Sequence, residues 1–566
     1  MRLAACLCLC LGACTGEPGP PGPSGPPGEA GPPGPTGPHG EAGAPVVVDA
    51  APAPLDAAVP DRGVDAQVPL DAAPDAVAPP RCAPWPAPAG LGGVVDSVVN
   101  VETAARWLAF RAAREQERMW EAYDPAAGRA RYRVPPGHIE RGCLSLAEVV
   151  DLGRGLFMRT FSRAEGYGNG LGPDSGGQRS RLQRGHFGGP DAAACTDCHW
   201  KGGFAGAGDR ADNAFMFGDG DVLATHDSRN PPPLWGLGWV ELIAAEMTAS
   251  LQAQAADAQA RALATGDAVE VALEAKGVDF GTLVARPDGL DTVDVEGVDP
   301  DLVVKPFGWR GVFSTLREFV GHSLQLHFGL QAEEIIATPR ELDLGDGPPH
   351  DPDRDGISAE ITEDQLTALV TFIATLDMPT IQVPTEGLFQ DPLFVDPPVL
   401  VDTPEFAARW LEGAARFSVL ACDHCHVPFM TISDPVYRTR AASGSVYAVD
   451  LSRHGAAPHP AREDGVWVIP VFSDFRRHHL GASLTGVHRE RGVPADTYLT
   501  RRLAGVGQTS PYLHDGSAVT FDAAIARHGG EATDSAQAYA DLPEHGRADL
   551  RVFLASLRRA PAIRVR

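Results

Sequence analysis

Two pentapeptides, Cys195-Thr196-Asp197-Cys198-His199 and Cys422-Asp423-His424-Cys425-His426, set two thiols three positions apart and put an imidazole directly after them. Thiols at this separation can form thioether bonds to the two vinyl groups of one haem, and the adjoining histidine then stands on the iron. With 10 cysteines and 18 histidines in 566 residues, chance would supply on the order of 0.01 such pentapeptides. The chain therefore reads as the carrier of two covalently bound haem c groups. Cys195, Cys198, Cys422 and Cys425 are the expected attachment points, and His199 and His426 the expected iron ligands. Paired Cys-x-x-Cys units also bind zinc. A zinc site would explain the thiols, but neither the histidine after each pair nor the long stretch of chain between them.

Haem attachment of this kind takes place outside the cytoplasm, and the N-terminus fits export. Met1-Arg2 is followed by an apolar run, and Leu11-Gly12-Ala13-Cys14 has the small-small-Cys ending of a bacterial lipoprotein signal. Residues 1–14 are expected to act as that signal, with Cys14 as the lipidated residue; an uncleaved apolar helix is the alternative. The segment is too short to span a bilayer, so the membrane would be met through a lipid anchor only, on the periplasmic side or at the cell surface.

Ten glycines then recur at every third position from Gly16 to Gly43, rich in intervening proline. Residues 15–43 are thus collagen-like, either a trimerising triple helix or a stiff polyproline-type spacer. Residues 44–83 are Ala, Pro, Asp and Val without a helical period and read as linker. Extended at about 3 Å per residue, the two segments would reach roughly 200 Å. Cys82 and Cys143 fall outside signal and pentapeptides and could pair in an oxidising compartment or remain two buried thiols.

The elements that must position the pentapeptides read as helices. Ser145 and Glu148 form a capping box before an apolar stretch to Met158. Thr403 and Pro404 can open a helix with Phe406, Trp410, Leu411, Ala414 and Phe417 on one face, running into Cys422. Leu550, Phe553, Leu554 and Leu557 follow the same period, and Thr362 with Gln365 boxes a helix bearing Leu366, Leu369, Val370 and Ile373. Further helices are predicted over 100–123 and, Ala-rich, over 239–273. Strand signals are sparse. The expected fold is mostly α: two haem domains, 84–395 with a helical insertion and 396–566, behind a disordered or collagen-like tether.

Over about 144–557 the chain resembles the bacterial di-haem oxidoreductases related to di-haem cytochrome c peroxidases, some of them described as thiol oxidoreductases. The resemblance rests on Arg-Asn-Pro-Pro-Pro-Leu-Trp-Gly-Leu-Gly at 229–238, Pro-Phe-Gly-Trp-Arg at 306–310 and Cys-Asp-His-Cys-His-Val-Pro at 422–428. Tyr-Leu-His-Asp-Gly at 512–516 and His-Gly-Gly-Glu-Ala at 528–532 complete it. It implies two cytochrome c-like domains side by side, one haem transferring electrons and the other meeting peroxide. It also implies a second axial ligand for the C-terminal haem at His528, where a surface histidine at a helix end is the alternative. Segments that read Asp-Met-Gly in many relatives are His327-Phe328-Gly329 and His479-Leu480-Gly481 here, so no methionine ligand is available at them. His327, near His322, and His514 are candidate catalytic groups, with core or surface roles as the alternative; His478 and His479 stand open in the same way. Arg501 is a candidate partner for a haem propionate. Trp235 or Trp309 could lie between the haems or pack in the core.

Asp351-Pro352-Asp353-Arg354-Asp355-Gly356 has the first half of a calcium loop. Its twelfth position is Thr362, so Glu360 or Glu363 would have to complete a site; a solvated acidic turn is the other reading. Asp and Glu number 74 against 47 Lys and Arg, a net charge of −27, which speaks against nucleic acid. The function expected is that of an exported, lipid-anchored di-haem oxidoreductase reducing a hydroperoxide or other small oxidant. Its electrons would come from an external donor: a small cytochrome, a cupredoxin or a quinol pathway. The alternatives are a non-catalytic two-haem electron carrier and an oxidase of thiols or protein side chains.

Overall fold

Two capping predictions fix where helices beside the pentapeptides begin, while Thr403 lies outside the described residues. In the computed structural model, which describes residues 132–168, 191–218, 222–337, 348–381 except 354 and 359, 404–456 and 459–559, Ser145 caps helix α1, Leu146–Met158. The Ser145 N–H donates in return to Glu148 Oε2 at 2.8 Å, which closes the box. Thr362 does the same for α4, Glu363–Ala374, with Gln365 N–H to Thr362 Oγ1 at 3.2 Å and Thr362 N–H to Gln365 Oε1 at 3.0 Å. Between them lie α2, Leu237–Thr265, and α3, Leu316–Phe328, the latter capped by Thr315 and stopped by Gly329 at φ 68°. α5, Pro404–Val419, leads into the second pentapeptide, and α6, Glu544–Ser556, is the final helix. The described residues belong to one of the two units into which the chain divides, Pro79–Arg566. The signal, the collagen-like repeat, the linker, Cys82 and the helix predicted over 100–123 lie outside the described residues. Cys143 is in a disulfide.

The two halves are built by one device. α1 crosses α4 at Gly153, where a Cβ would run into the Ala368 carbonyl oxygen, and α5 crosses α6 at Gly413, where a Cβ would run into that of Asp549. One turn further on each first helix a phenylalanine meets one on the second: Phe157 and Phe372 with ring centroids 5.5 Å apart, Phe417 and Phe553 at 5.3 Å. Glycine lets the backbones approach, and the aromatic pair fills the wedge this opens. Each crossing belongs to its own hydrophobic core. Cys195 and Cys198 pack against the larger one, and Cys422 against a smaller one made by Trp410, Phe417, Phe472, Tyr539, Leu550 and Phe553.

The expectation of a mostly α chain is corrected. Six small antiparallel sheets accompany ten α-helices among the described residues. The helix predicted over 239–273 ends at Thr265, and Val269–Ala275 forms strand β1, paired with β2, Val278–Arg286, and through it with β3, Gly289–Asp291. Val-Glu-Val-Ala-Leu-Glu-Ala is made of residues that also suit a helix. Lys276 at φ 53° and Gly277 at φ 77° form a two-residue left-handed hairpin loop that decides for the strand. The insertion is therefore a helix plus a three-stranded sheet. Leu411, expected on the buried face of α5, is 60% exposed. No described helix is long and apolar enough to cross a membrane.

Candidate haem sites

Each pentapeptide closes a single 3-10 turn, Cys195–Asp197 and Cys422–His424, that brings its histidine back under the preceding helix. The His199 N–H donates to Cys195 O at 3.0 Å, and His426 N–H to Cys422 O at 2.9 Å. Phe157 of α1 lies 6.4 Å from the His199 ring, and Phe417 of α5 lies 6.5 Å from that of His426. The glycine crossings thus decide where each imidazole stands.

His199 Nδ1 is 3.1 Å from Gly206 O, and His426 Nδ1 is 3.2 Å from Phe472 O. A carbonyl oxygen only accepts, so Nδ1 carries the proton in both rings and Nε2 keeps its lone pair. Burial pushes both imidazoles down to about 4, which keeps them neutral, as ligation requires. Burial also pushes the Cys195 and Cys422 thiols up to about 12, and Cys198 higher still, with nearby carboxylates adding to it. Without a metal these thiols stay protonated, and thioether formation leaves no charge to bury. The two pairs also lie in separate cores, and no cluster of metal-binding side chains among the described residues joins them.

His199, His322 and His327 line one cleft, the latter two from α3. His327 Nδ1 is 3.0 Å from Asp191 Oδ2 and 3.1 Å from Oδ1, so its Nε2 is the free nitrogen. Burial disfavours its charged form, but Asp191 offsets this and leaves its pKa raised. His199 and His327 feel each other electrostatically. His322 is pushed down to about 3 by burial, then by Arg491 and His327, and its Nδ1 has no partner. The candidate His327 is thus on the cleft wall. His514 is not: it stacks on Tyr498 at 4.5 Å, behind Trp309 at 6.4 Å, and burial holds it down at about 4.

The second pentapeptide has a matching partner. Thr520 caps the short helix Phe521–Ile525, accepting from Ala523 N–H at 3.1 Å, and His528 follows with Nδ1 2.8 Å from Ala524 O. Burial lowers its pKa, and it acts electrostatically on His426. The turn after it is made by Gly530 at φ 55° rather than by Gly529. His478 is no ligand. Its Nε2 is 2.8 Å from Asp474 Oδ2 and its Nδ1 2.7 Å from Glu531 Oε2, so both nitrogens are committed as donors. Burial opposes its charge, yet Asp474 and an ionised Cys425 thiol raise it to about 11; thioether formation at Cys425 leaves the Asp474 contribution in place. His479 is exposed and bonds Thr497 Oγ1 at 3.2 Å. The spacing of the histidines gave no sign of Asp474 and Glu531, since carboxylates that hold a ring have no fixed sequence offset from it.

Haem propionates need cations, and two arginines fit. Arg501 and Arg502 are half-buried, and burial lowers them to about 10 and about 9. Neither forms an ion pair with a carboxylate among the described residues, and Arg502 Nη1 has no partner at all. Buried guanidinium without a counter-anion is costly, which suits a site shaped for an acidic group. Arg501 was legible from its motif; Arg502 was not singled out, although it adjoins Arg501. Arg501 also lies 4.7 Å over the ring of Trp309, which lines the cleft and donates from Nε1 to Asn230 O at 2.9 Å. Trp235 is fully buried, with Nε1 2.8 Å from Phe204 O, and is a core residue.

Residues 404–557, from the start of α5 to just past α6, match the sequence family described as "Di-haem oxidoreductase, putative peroxidase". This segment is similar to the di-haem oxidoreductases. It contains the second pentapeptide, His528 and both arginines, and the family implies haem cofactors and haem-based redox function. The first pentapeptide lies outside the matched segment and is tied to it by the repeated glycine crossing. No curated protein matches the chain. Hydrazine synthase from Kuenenia stuttgartiensis, solved under xenon pressure, aligns over 73% of this chain and 93% of its own at 14% identity, with a TM-score of 0.28, too low to carry an argument.

The acidic turn is formed as the spacing suggests. Asp351, Asp353 and Asp355 bring carboxylate oxygens within 4.8 Å of one another. Of the two glutamates that could join them, Glu360 senses the charge of all three, whereas Glu363 is held by Ser443 Oγ at 2.6 Å and Ser445 Oγ at 3.0 Å.

Proposed function

We propose that this protein is a c-type di-haem oxidoreductase with two cytochrome c-like halves, one haem thioether-linked at Cys195 and Cys198 and the other at Cys422 and Cys425. The single observation that carries this is the repeated proximal arrangement. Each pentapeptide histidine is neutral, fixed by a carbonyl at Nδ1, packed on a helix phenylalanine, and close enough to a second histidine to feel its charge.

When bound, haem supplies one-electron transfer and the reduction of a peroxide bond. The chain supplies the rest. His199 and His426 orient their Nε2 lone pairs at the iron positions. Arg501 and Arg502 would bind propionates, the planar guanidinium matching a carboxylate. His327, backed by Asp191, presents Nε2 to the cleft, and His322 stands beside it with an uncommitted Nδ1. They are among the polar groups that a small substrate in the cleft could meet if haem were bound at His199. Hydrogen peroxide takes up two electrons and two protons to give two waters, and the two imidazoles on that wall are placed to handle protons. The first site is accordingly read as the reactive one and the second, with His528 opposite His426, as the electron-transfer site. Electrons would arrive from an external donor such as a small cytochrome, a cupredoxin or a quinol pathway.

Export, lipid anchoring at Cys14 and a collagen-like spacer belong to the same proposal. The disulfide at Cys143 supports an oxidising compartment. A non-catalytic two-haem carrier is the second reading, favoured by the opposing imidazole at both sites. Stopped-flow mixing of the half-reduced holoprotein with hydrogen peroxide separates the two. Peroxide-dependent oxidation of a reduced artificial donor, with high-spin haem in the half-reduced state, is expected of the enzyme; low-spin haem throughout and no turnover would establish the carrier.

A further inference from the structure

The carboxylates below α3 hold an arrangement that the haem chemistry does not use. Asp351 accepts the Asp355 N–H and the Gly356 N–H, each at 3.1 Å, and Gly356 at φ 85° turns the chain so that three side chains converge. Both oxygens of Asp353 are shielded from solvent, with the Asp351 carboxylate and the Asp355 backbone beside them. Glu360 approaches from the interior. It is 5% exposed, its Oε2 accepts the Gln331 N–H at 2.7 Å, and its Oε1 is buried without a partner. Gly166 at φ 97° leaves it room, since a Cβ there would collide with the Glu360 carboxyl. No ion pair with Lys, Arg or His reaches Asp353 or Glu360 among the described residues. A buried carboxylate beside three others, with no cation to offset it, is strongly unfavourable.

We infer that Asp351, Asp353, Asp355 and Glu360 form a site for one calcium ion, with Glu360 closing it from the protein interior. All donors are oxygens, which selects a hard cation, and carboxylates alternating along a turn suit the larger, more flexible shell of calcium rather than the strict octahedron of magnesium. The acids show the strain expected before a cation binds: burial and the neighbouring Asp355 raise Asp353 to about 7, and burial above all raises Glu360 to about 10. The site also has a structural consequence. Gln331, held by Glu360, lies four residues beyond His327, and Ala332 bridges to Ile361 beside it. The ion would secure the segment that follows α3.

Isothermal titration of chelator-treated, haem-loaded full-length protein with calcium chloride, and separately with magnesium chloride, tests this. One calcium per chain is expected, with magnesium weaker, and saturating calcium should raise the melting temperature by linkage. Asp353→Asn and Glu360→Gln should each weaken calcium by at least about tenfold. Glu363→Gln, whose carboxylate is held by serines, should leave affinity unchanged. Absence of calcium uptake by wild-type protein that carries both haems, or wild-type affinity in Asp353→Asn, overturns the inference. Haem content is read on the same samples, so a failure here is distinct from a failure of the haem assignment.

Discussion

A histidine binds iron only if one ring nitrogen is free, and the hydrogen bond on the other nitrogen decides which. His199, His426 and His528 each give Nδ1 to a backbone carbonyl, at 3.1, 3.2 and 2.8 Å, and His327 gives it to Asp191. His478 alone of the buried set has both nitrogens taken. From this, His528→Ala should change the low-spin EPR signal of one haem and leave the other's intact; two unchanged signals would remove His528 from the iron. His478 serves stability instead. Burial opposes its charge, but Asp474 raises its pKa above the ordinary 6.5, a contribution that remains when Cys425 is thioether-linked, so the folded state holds a proton that the unfolded state releases as pH rises past the ordinary value. The stabilisation is full below the ordinary value and fades as pH rises through the folded one. Thermal melts should show His478→Gln less stable than wild type at about pH 6, with the gap narrowing by about pH 9; a gap that widens with pH would contradict the charged pairing. The pentapeptides were legible because covalent attachment imposes fixed spacing. Asp191, Asp474, Glu531 and Arg502 were not, because a partner brought in by folding leaves no periodic trace.

At the scale of elements, the helix ends written by side-chain caps were the readable part. Ser145 and Thr362 cap as their sequences imply. The strands were less readable, since two- and three-residue ladders carry too few positions for an alternation to show, and β1 is composed of residues that would serve a helix. The internal repeat was present in the sequence as Gly-x-x-x-Phe, at Gly153 with Phe157 and at Gly413 with Phe417, each on the helix ahead of its pentapeptide. Its meaning needed the partner helices. Gly413→Ala should push α5 off α6 and destabilise the holoprotein by about 1–3 kcal/mol, as overpacking does. Phe417→Ala should cost about 3–5 kcal/mol through the cavity it leaves beside His426. Chemical denaturation followed at the Soret band measures both, and a neutral Gly413→Ala would mean that the helices do not meet there.

For the whole molecule, composition excluded more than it specified. The −27 charge argued against nucleic acid, but the long Ala-rich segment gave no warning that α2 would be followed by a sheet. The matched family covers 404–557, whereas the repeated crossing extends the same construction to the first pentapeptide. Everything proposed about substrate and electron flow depends on haem being covalently present in both halves. Intact-mass and peptide mass spectrometry of acid-acetone-washed, denatured protein measures that directly. Two added tetrapyrrole masses, one on the peptide holding Cys195 and Cys198 and one on that holding Cys422 and Cys425, are expected; a colourless polypeptide of unmodified mass, or one retaining zinc, would contradict the account.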